Sequence, residues 1–157
     1  LEEYPYQAMT TLSTHDLPTI NGYWRGYDFE LGQKYGVYPN PKILQILRHS
    51  RIDAKEKILA RLSENGVTVD KGIDESLSSA VTKKFIHQLQ TYVADVSSAL
   101  FGFQPEDWLD MTEPVNIPGT SMEYANWRRR LTQNIDAIFA DKDIQTLLKE
   151  VKAKRKG

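Results

Sequence analysis

The chain has 157 residues, 20 Lys+Arg against 21 Asp+Glu, and no cysteine. That length supports one domain with a real core, and the near-neutral balance argues against the dense basic footprint of a nucleic-acid binder. The absence of cysteine excludes disulfides and Cys-ligated zinc and fits a reducing, cytoplasmic setting.

No apolar run reaches the roughly 18 residues expected of a membrane span, and no secretory leader is expected. The numbering opens on Leu1 rather than on Met, which reads as a processed start or an excised piece.

In chain order, the alternation over residues 8–13, Ala-Met-Thr-Thr-Leu-Ser, predicts a strand. Asp16 and Pro18 then open a short helix carrying Ile20, Tyr23 and Trp24, and a second short helix is expected among Gly26, Gly32 and Gly36. Asn40-Pro41 gives an N-cap and a first-turn proline, followed by Ile43, Leu44, Ile46 and Leu47. Ser50 is expected to cap a further helix, with Ile52, Ile58, Leu59 and Leu62 inside and Gly66 closing it. Residues 67–77 read as a loop. Ser78 or Ser79 opens the clearest helix, in which Val81, Phe85, Leu89, Tyr92, Val93 and Val96 recur at helical spacing.

The short apolar run from Ala99 to Phe103 ends at Gln104-Pro105 and predicts a buried strand. Thr120-Ser121-Met122-Glu123 fits a capping box, before a helix that buries Tyr124, Trp127, Leu131, Ile135 and Ile138. Asp141 restarts a last helix through Ile144, Leu147, Leu148 and Val151, and residues 152–157 are expected to form a disordered basic tail. There is no internal repeat. The expected fold is mostly α with two short strands, and two buried strands so far apart suggest the tail of an α/β protein.

Three stretches could carry chemistry. His15-Asp16 follows the first strand. On bare sequence a helix-capping aspartate is the favoured reading, although the C-terminal ends of strands are where (β/α)-barrel enzymes place their chemistry. "NIPGT" (116–120) is either a plain Pro-Gly turn or a rigid loop presenting Asn116, whose amide can both donate to and accept from a sugar hydroxyl. "WRRR" (127–130) could bind phosphate, but helical spacing would spread the three arginines around the helix. His49 and His87 lack partners at metal-ligand spacing, so no metal is expected. No Gly-rich phosphate loop or nucleophile elbow is present. Trp24, Trp108 and Trp127 suit carbohydrate stacking, though most aromatics should lie in the core.

"TTLSTHDLPTINGYW", "QPEDWLD" and "EPVNIPGTSMEYANWRRRL" together resemble the C-terminal third of amylomaltases, the bacterial 4-α-glucanotransferases of glycoside hydrolase family 77. The resemblance spans essentially the whole chain and is nearest the gamma-proteobacterial type. It implies a (β/α)8 TIM barrel, of which residues 8–13 are the seventh strand and 99–104 the eighth. It also implies cofactor-free, retaining transfer of α-1,4-glucan segments between maltodextrins. His15-Asp16 then corresponds to the family's His-Asp motif, with Asp16 as the transition-state-stabilising carboxylate. Asn116 corresponds to the asparagine of the NxPGT loop near the donor sugar, and His15 to a substrate-binding neighbour.

The nucleophilic Asp and the acid/base Glu of the family belong to strands upstream of Leu1. A retaining mechanism needs two carboxyl groups about 5–5.5 Å apart, and nothing in the sequence places Glu106 or Asp107 opposite Asp16. The chain is therefore expected to be a single C-terminal fragment of the barrel, inactive by itself, partnered by the missing N-terminal portion and prone to self-association. The competing readings are an autonomous helical protein-interaction module and a non-catalytic carbohydrate-binding domain.

Overall fold

The computed structural model describes residues 4–79 and 81–155. Two three-residue strands, β1 (Met9–Thr11) and β2 (Leu100–Gly102), pair in parallel with Met9 opposite Leu100 and Thr11 opposite Gly102. A parallel pair requires a crossover. Here it is made by four helices: α1 (Ile20–Arg25), α2 (Tyr27–Lys34), α3 (Pro41–Glu64) and α4 (Lys83–Val93). After β2 come a single turn, α5 (Pro105–Trp108), a long irregular stretch, and then α6 (Ile135–Ala140) and α7 (Lys142–Lys154). The expected mostly helical architecture with two short strands is what the described residues form.

The crossover helices close around Trp24, Leu62, Phe85, Ile86 and Leu89. Burying side chains of this size stabilises by about 1.5–3 kcal/mol each relative to exposure, enough to hold helices whose own length is marginal. A second cluster joins Ala94 and Trp108 to Ile138, Ile144, Leu147 and Val151, seating α7 beside α4 and α5.

Several boundaries differ from the sequence expectation. Residues 41–64 form one helix, because no glycine or proline interrupts them and Ser50 is exposed rather than capping. Gly66 does end α3: its N–H reaches Ser63 O and the Val67 N–H reaches Leu62 O, the pair of bonds of a Schellman motif. The helix expected from Ser78 or Ser79 begins later. Thr82 caps it by accepting the Phe85 N–H at 3.1 Å, while the Ser79 hydroxyl is engaged by Trp24 Nε1 and the Asp74 N–H.

The largest departure is over residues 121–134, where the expected helix is absent. Glu123 folds onto the Ser121 N–H at 2.8 Å, and the Thr120 hydroxyl bonds back to Ile117 O. The Asn126 side chain accepts the Ile117 N–H and donates to Thr120. The Trp127 N–H donates to Val115 O at 3.0 Å. Loop partners thus take the backbone groups that an α-helix would have paired internally. Only Ile135 and Ile138 of the expected stripe are helical, on α6.

The basic stretch expected to be disordered from residue 152 is helical through Lys154. Arg155 then folds back to donate to the carbonyls of Ala94 and Ser98. Lys156 and Gly157 lie outside the described residues.

Candidate functional site

Just beyond β1, a turn closed by the Leu17 N–H on Thr14 O sets His15 and Asp16 on the surface. Asp16 does not cap α1. Thr19 caps it, its hydroxyl accepting the Gly22 N–H at 3.0 Å, and the neighbouring Ile20 N–H goes to Asp107 at 2.6 Å. The Asp16 carboxylate therefore points elsewhere. Asn116 Nδ2 donates to its Oδ1 at 2.7 Å, and His15 Nε2 lies 3.2 Å from its Oδ2. His15 and Asp16 are about half exposed. The His15 ring also lies against that of Trp127, with centroids 4.8 Å apart.

Asn116 is held in reach by its loop. Ile117 is buried and accepts bonds from both the N–H and the hydroxyl of Thr120. Tyr124 donates its hydroxyl to Pro114 O at 2.6 Å, and burial pushes that phenol's pKa up. Gly119 has φ +88°, a backbone conformation that side-chain-bearing residues adopt only with strain.

The two halves of the site are joined by the segment after β2. Asp107 is 1% exposed and accepts both the Ile20 N–H and the Ser13 hydroxyl. Burial pushes its pKa up to about 6 against the lowering effect of those two bonds. Asp110 accepts from the Asn21 amide, and Thr112 O accepts from Thr19 at 3.3 Å. A Cβ on Gly22 would stand 2.6 Å from Thr112 O, so only glycine admits this approach of α1 to the 105–112 segment. Sequence reasoning weighed Asp107 as a spare carboxylate and missed this joining role. Its proximity to Pro105 at the start of a helix was the available signal.

A cavity of about 310 Å³ opens beside the pair, bordered by Asp16, Pro18, Tyr38, Arg51, Asn116 and Pro118. Asp28 also borders it, but Arg51 grips the Asp28 carboxylate in a two-pronged ion pair at 2.8 and 3.0 Å while stacking on Tyr23 and Phe29. Asp107 is sealed in the interior. Thus neither carboxylate is free to act opposite Asp16. Among the described residues no group of three or more His, Asp or Glu side chains could hold a metal ion, and no helix is long and apolar enough to cross a membrane. The three consecutive arginines do not lie on a helix. Arg129 bonds Tyr124 OH at 3.3 Å and pairs with Glu113 at 3.6 Å.

This fold and the convergence of residues near 15 and 116 point to a known class. The model of glycoside hydrolase family 77, described as 4-alpha-glucanotransferase, matches residues 1–135, and the chain belongs to that family. It is 28% identical over 151 residues to the 4-alpha-glucanotransferase of Haemophilus influenzae, covering 96% of this chain and 22% of that protein. Against the 4-alpha-glucanotransferase of Mycobacterium tuberculosis the identity is 29% over 158 residues, covering 97% of this chain and 21% of the relative. Among solved structures, amylomaltase from Corynebacterium glutamicum matches with a TM-score of 0.77 at 24% identity, over 96% of this chain and 22% of that one. That likeness speaks for the fold. The chain thus spans about a fifth of the length of these relatives.

Proposed function

We propose that this chain forms one wall of the active site of a 4-alpha-glucanotransferase, with β1 and β2 standing as the seventh and eighth strands of a (β/α)8 barrel. The observation that carries this reading is the Asn116–Asp16–His15 cluster. Two loops a hundred residues apart bring an amide, a carboxylate and an imidazole together just beyond the C-terminal end of β1, on an open face. That end of the strands is where barrel enzymes perform their chemistry.

The substrate class is an α-1,4-linked maltodextrin, and the reaction a retaining transfer. Such transfer passes through an oxocarbenium-like state in which hydrogen bonds to ring hydroxyls strengthen as positive charge develops. Asp16 accepts from adjacent hydroxyls of the sugar at the reacting centre, favouring the flattened ring of the transition state. His15 and Asn116 hold the carboxylate in place and donate to neighbouring sugar oxygens. Asp16 serves neither as nucleophile nor as proton donor; both of those groups come from the remainder of the barrel. The isolated chain is therefore inactive.

The parallel strand pair speaks against an autonomous helical interaction module. A carbohydrate-binding module relying on several tryptophans is disfavoured as well, because Trp24 and Trp108 are 1% and 7% exposed and Trp127 alone of the three is at the surface. The test is Asp16→Ala in the enzyme that contains this chain. A contact realised mainly in the transition state lowers kcat by orders of magnitude with little change in KM. Near-normal kcat with a raised KM would reduce Asp16 to a ground-state contact, and full activity would remove it from the mechanism.

A further inference from the structure

The sequence pattern puts Trp127 in the core of a helix; the structure puts it on the surface, 63% exposed, in no helix. Its backbone has φ +60°, the left-handed region that a large side chain occupies only under strain. A left-handed backbone is not what folding would choose for a tryptophan, so some other requirement holds it there. Its position suggests which. The Trp127 N–H is pinned to Val115 O, next to Asn116, and its ring lies against His15, which in turn touches Asp16. The order Trp127, His15, Asp16, Asn116 is thus a continuous row with a broad apolar ring face at one end and hydroxyl-binding groups at the other.

We propose that Trp127 is a stacking platform for a glucosyl unit adjacent to the one held by Asp16 and Asn116, and that its contact with His15 fixes the imidazole beside the carboxylate. This rests on the glucan-binding reading above. The chemistry is that of an amphipathic sugar ring, whose C–H face packs on an aromatic surface while its hydroxyls turn to polar neighbours. Of the three tryptophans only Trp127 is available for it, since Trp24 and Trp108 are buried. A single flat platform selects for a run of linked sugars over a single one, because the platform and the clasp bind neighbouring units.

The test is nuclear magnetic resonance on the ¹⁵N-labelled 157-residue chain, titrated with maltotriose and maltoheptaose to millimolar concentrations and with cellotriose as the β-linked control. The Trp127 indole resonance, identified by its absence in Trp127→Phe, and the Asn116 side-chain amide shift together with the maltodextrins and not with cellotriose. Trp127→Phe stays within about twofold of the parent affinity, whereas Trp127→Gly and Trp127→Leu weaken it about tenfold. Trp127→Gly also keeps or raises the thermal midpoint, since glycine relieves the left-handed backbone; a merely structural tryptophan would give the opposite. If the Asn116 amide responds while the Trp127 indole does not, and Trp127→Leu binds as the parent does, the platform is overturned and the clasp stands. If neither resonance responds in the chain, the same titration of the enzyme that contains it decides. Silence of both there overturns the glucan-binding reading of this cluster and the platform with it.

Discussion

Asn116 donates its side-chain amide to the Asp16 carboxylate at 2.7 Å across a hundred residues of chain. Both groups lie at the surface, where water competes, so the bond contributes little to stability, on the order of 0.5–1 kcal/mol. Its consequence is geometric. One carboxylate oxygen is committed to Asn116 and the other faces His15, which fixes the plane of the group. Asn116→Ala should leave the melting temperature of the chain nearly unchanged while lowering kcat in the complete enzyme. An equal loss of melting temperature and activity would make Asn116 a structural residue.

Gly119→Val supplies the contrast. The glycine has φ +88° with open space where a Cβ would stand, so the penalty is conformational and not steric. Left-handed backbone costs a side-chain-bearing residue roughly 1–2 kcal/mol. Thermal denaturation of Gly119→Val should show that loss, and a variant as stable as the parent would mean that the loop relaxes to another turn.

Asp107 makes stability depend on pH with a definite sign. Its folded pKa, about 6, lies above the ordinary 3.8, so the folded state holds the proton more tightly than the unfolded one. The stability due to this group is therefore greatest below pH 4, falls as pH rises from about 4 to 6, and is flat above that. The span is at most roughly 3 kcal/mol. Asp107→Asn can keep both the Ile20 N–H and Ser13 partners without ionising. Relative to the parent it should gain stability on going from pH 4.5 to pH 7, as measured by urea unfolding at each pH. A constant difference would mean that Asp107 is ionised throughout.

Lys55 is fully buried, 0% exposed, and its ammonium lies 4.6 Å from the Trp24 ring centroid. It donates to Trp24 O at 3.0 Å and to Ser76 O, tying the 65–82 loop to α1. Burial lowers its pKa to about 8, so the amine still carries its proton at neutral pH. Lys55→Met matches the length of the stem but strands the Trp24 carbonyl, worth about 1–3 kcal/mol when left unpaired, while Ser76 O keeps the Ser79 N–H. Chemical denaturation at pH 7 should show a loss of about 1–3 kcal/mol. A neutral or stabilising change would mean that water or a local shift satisfies the Trp24 carbonyl.

The sheet leaves its own signature in solution. Tyr6, Met9 and Leu100 are 74%, 63% and 62% exposed around a two-stranded parallel pair. An apolar groove of about 580 Å³ is walled by Leu12, just after β1, with Ile20, Tyr23, Leu62, Leu89 and Tyr92. Open strand edges and apolar patches promote pairing with another chain. Sedimentation should show concentration-dependent self-association of the isolated chain, reduced by the double change Met9→Lys, Leu100→Thr. A monomer at every concentration would mean that these surfaces are covered within the chain.

The sequence by itself determined what depends on neighbours in the chain. Asn40-Pro41 starts α3, Gly66 ends it, and Asp141 caps α7 by accepting the Asp143 and Ile144 N–H groups, because capping is decided within a few residues. Alternation in 8–13 and the apolar run of 99–103 marked the place of both strands for the same reason. They did not mark burial, since Met9 and Leu100 are exposed on a pair with no further neighbour among the described residues. The family resemblance, carried by the short motifs, also singled out His15, Asp16 and Asn116.

Only the tertiary structure decided the rest. Whether Asp16 or Thr19 caps α1 depends on Asp107, which arrives from 87 residues away to take the Ile20 N–H. Whether Thr120-x-x-Glu123 nucleates a helix depends on Val115 O, Pro114 O and Ile117, which draw the Trp127 N–H, the Tyr124 hydroxyl and the Asn126 side chain into a loop instead. That competition moves Trp127 from an expected core position to the surface beside His15. A helical pattern cannot register it, because a backbone N–H bonds to whichever acceptor the folded chain brings nearest. The acceptors here lie beyond the reach of one helical turn, on the preceding loop or, for Ile20, on Asp107.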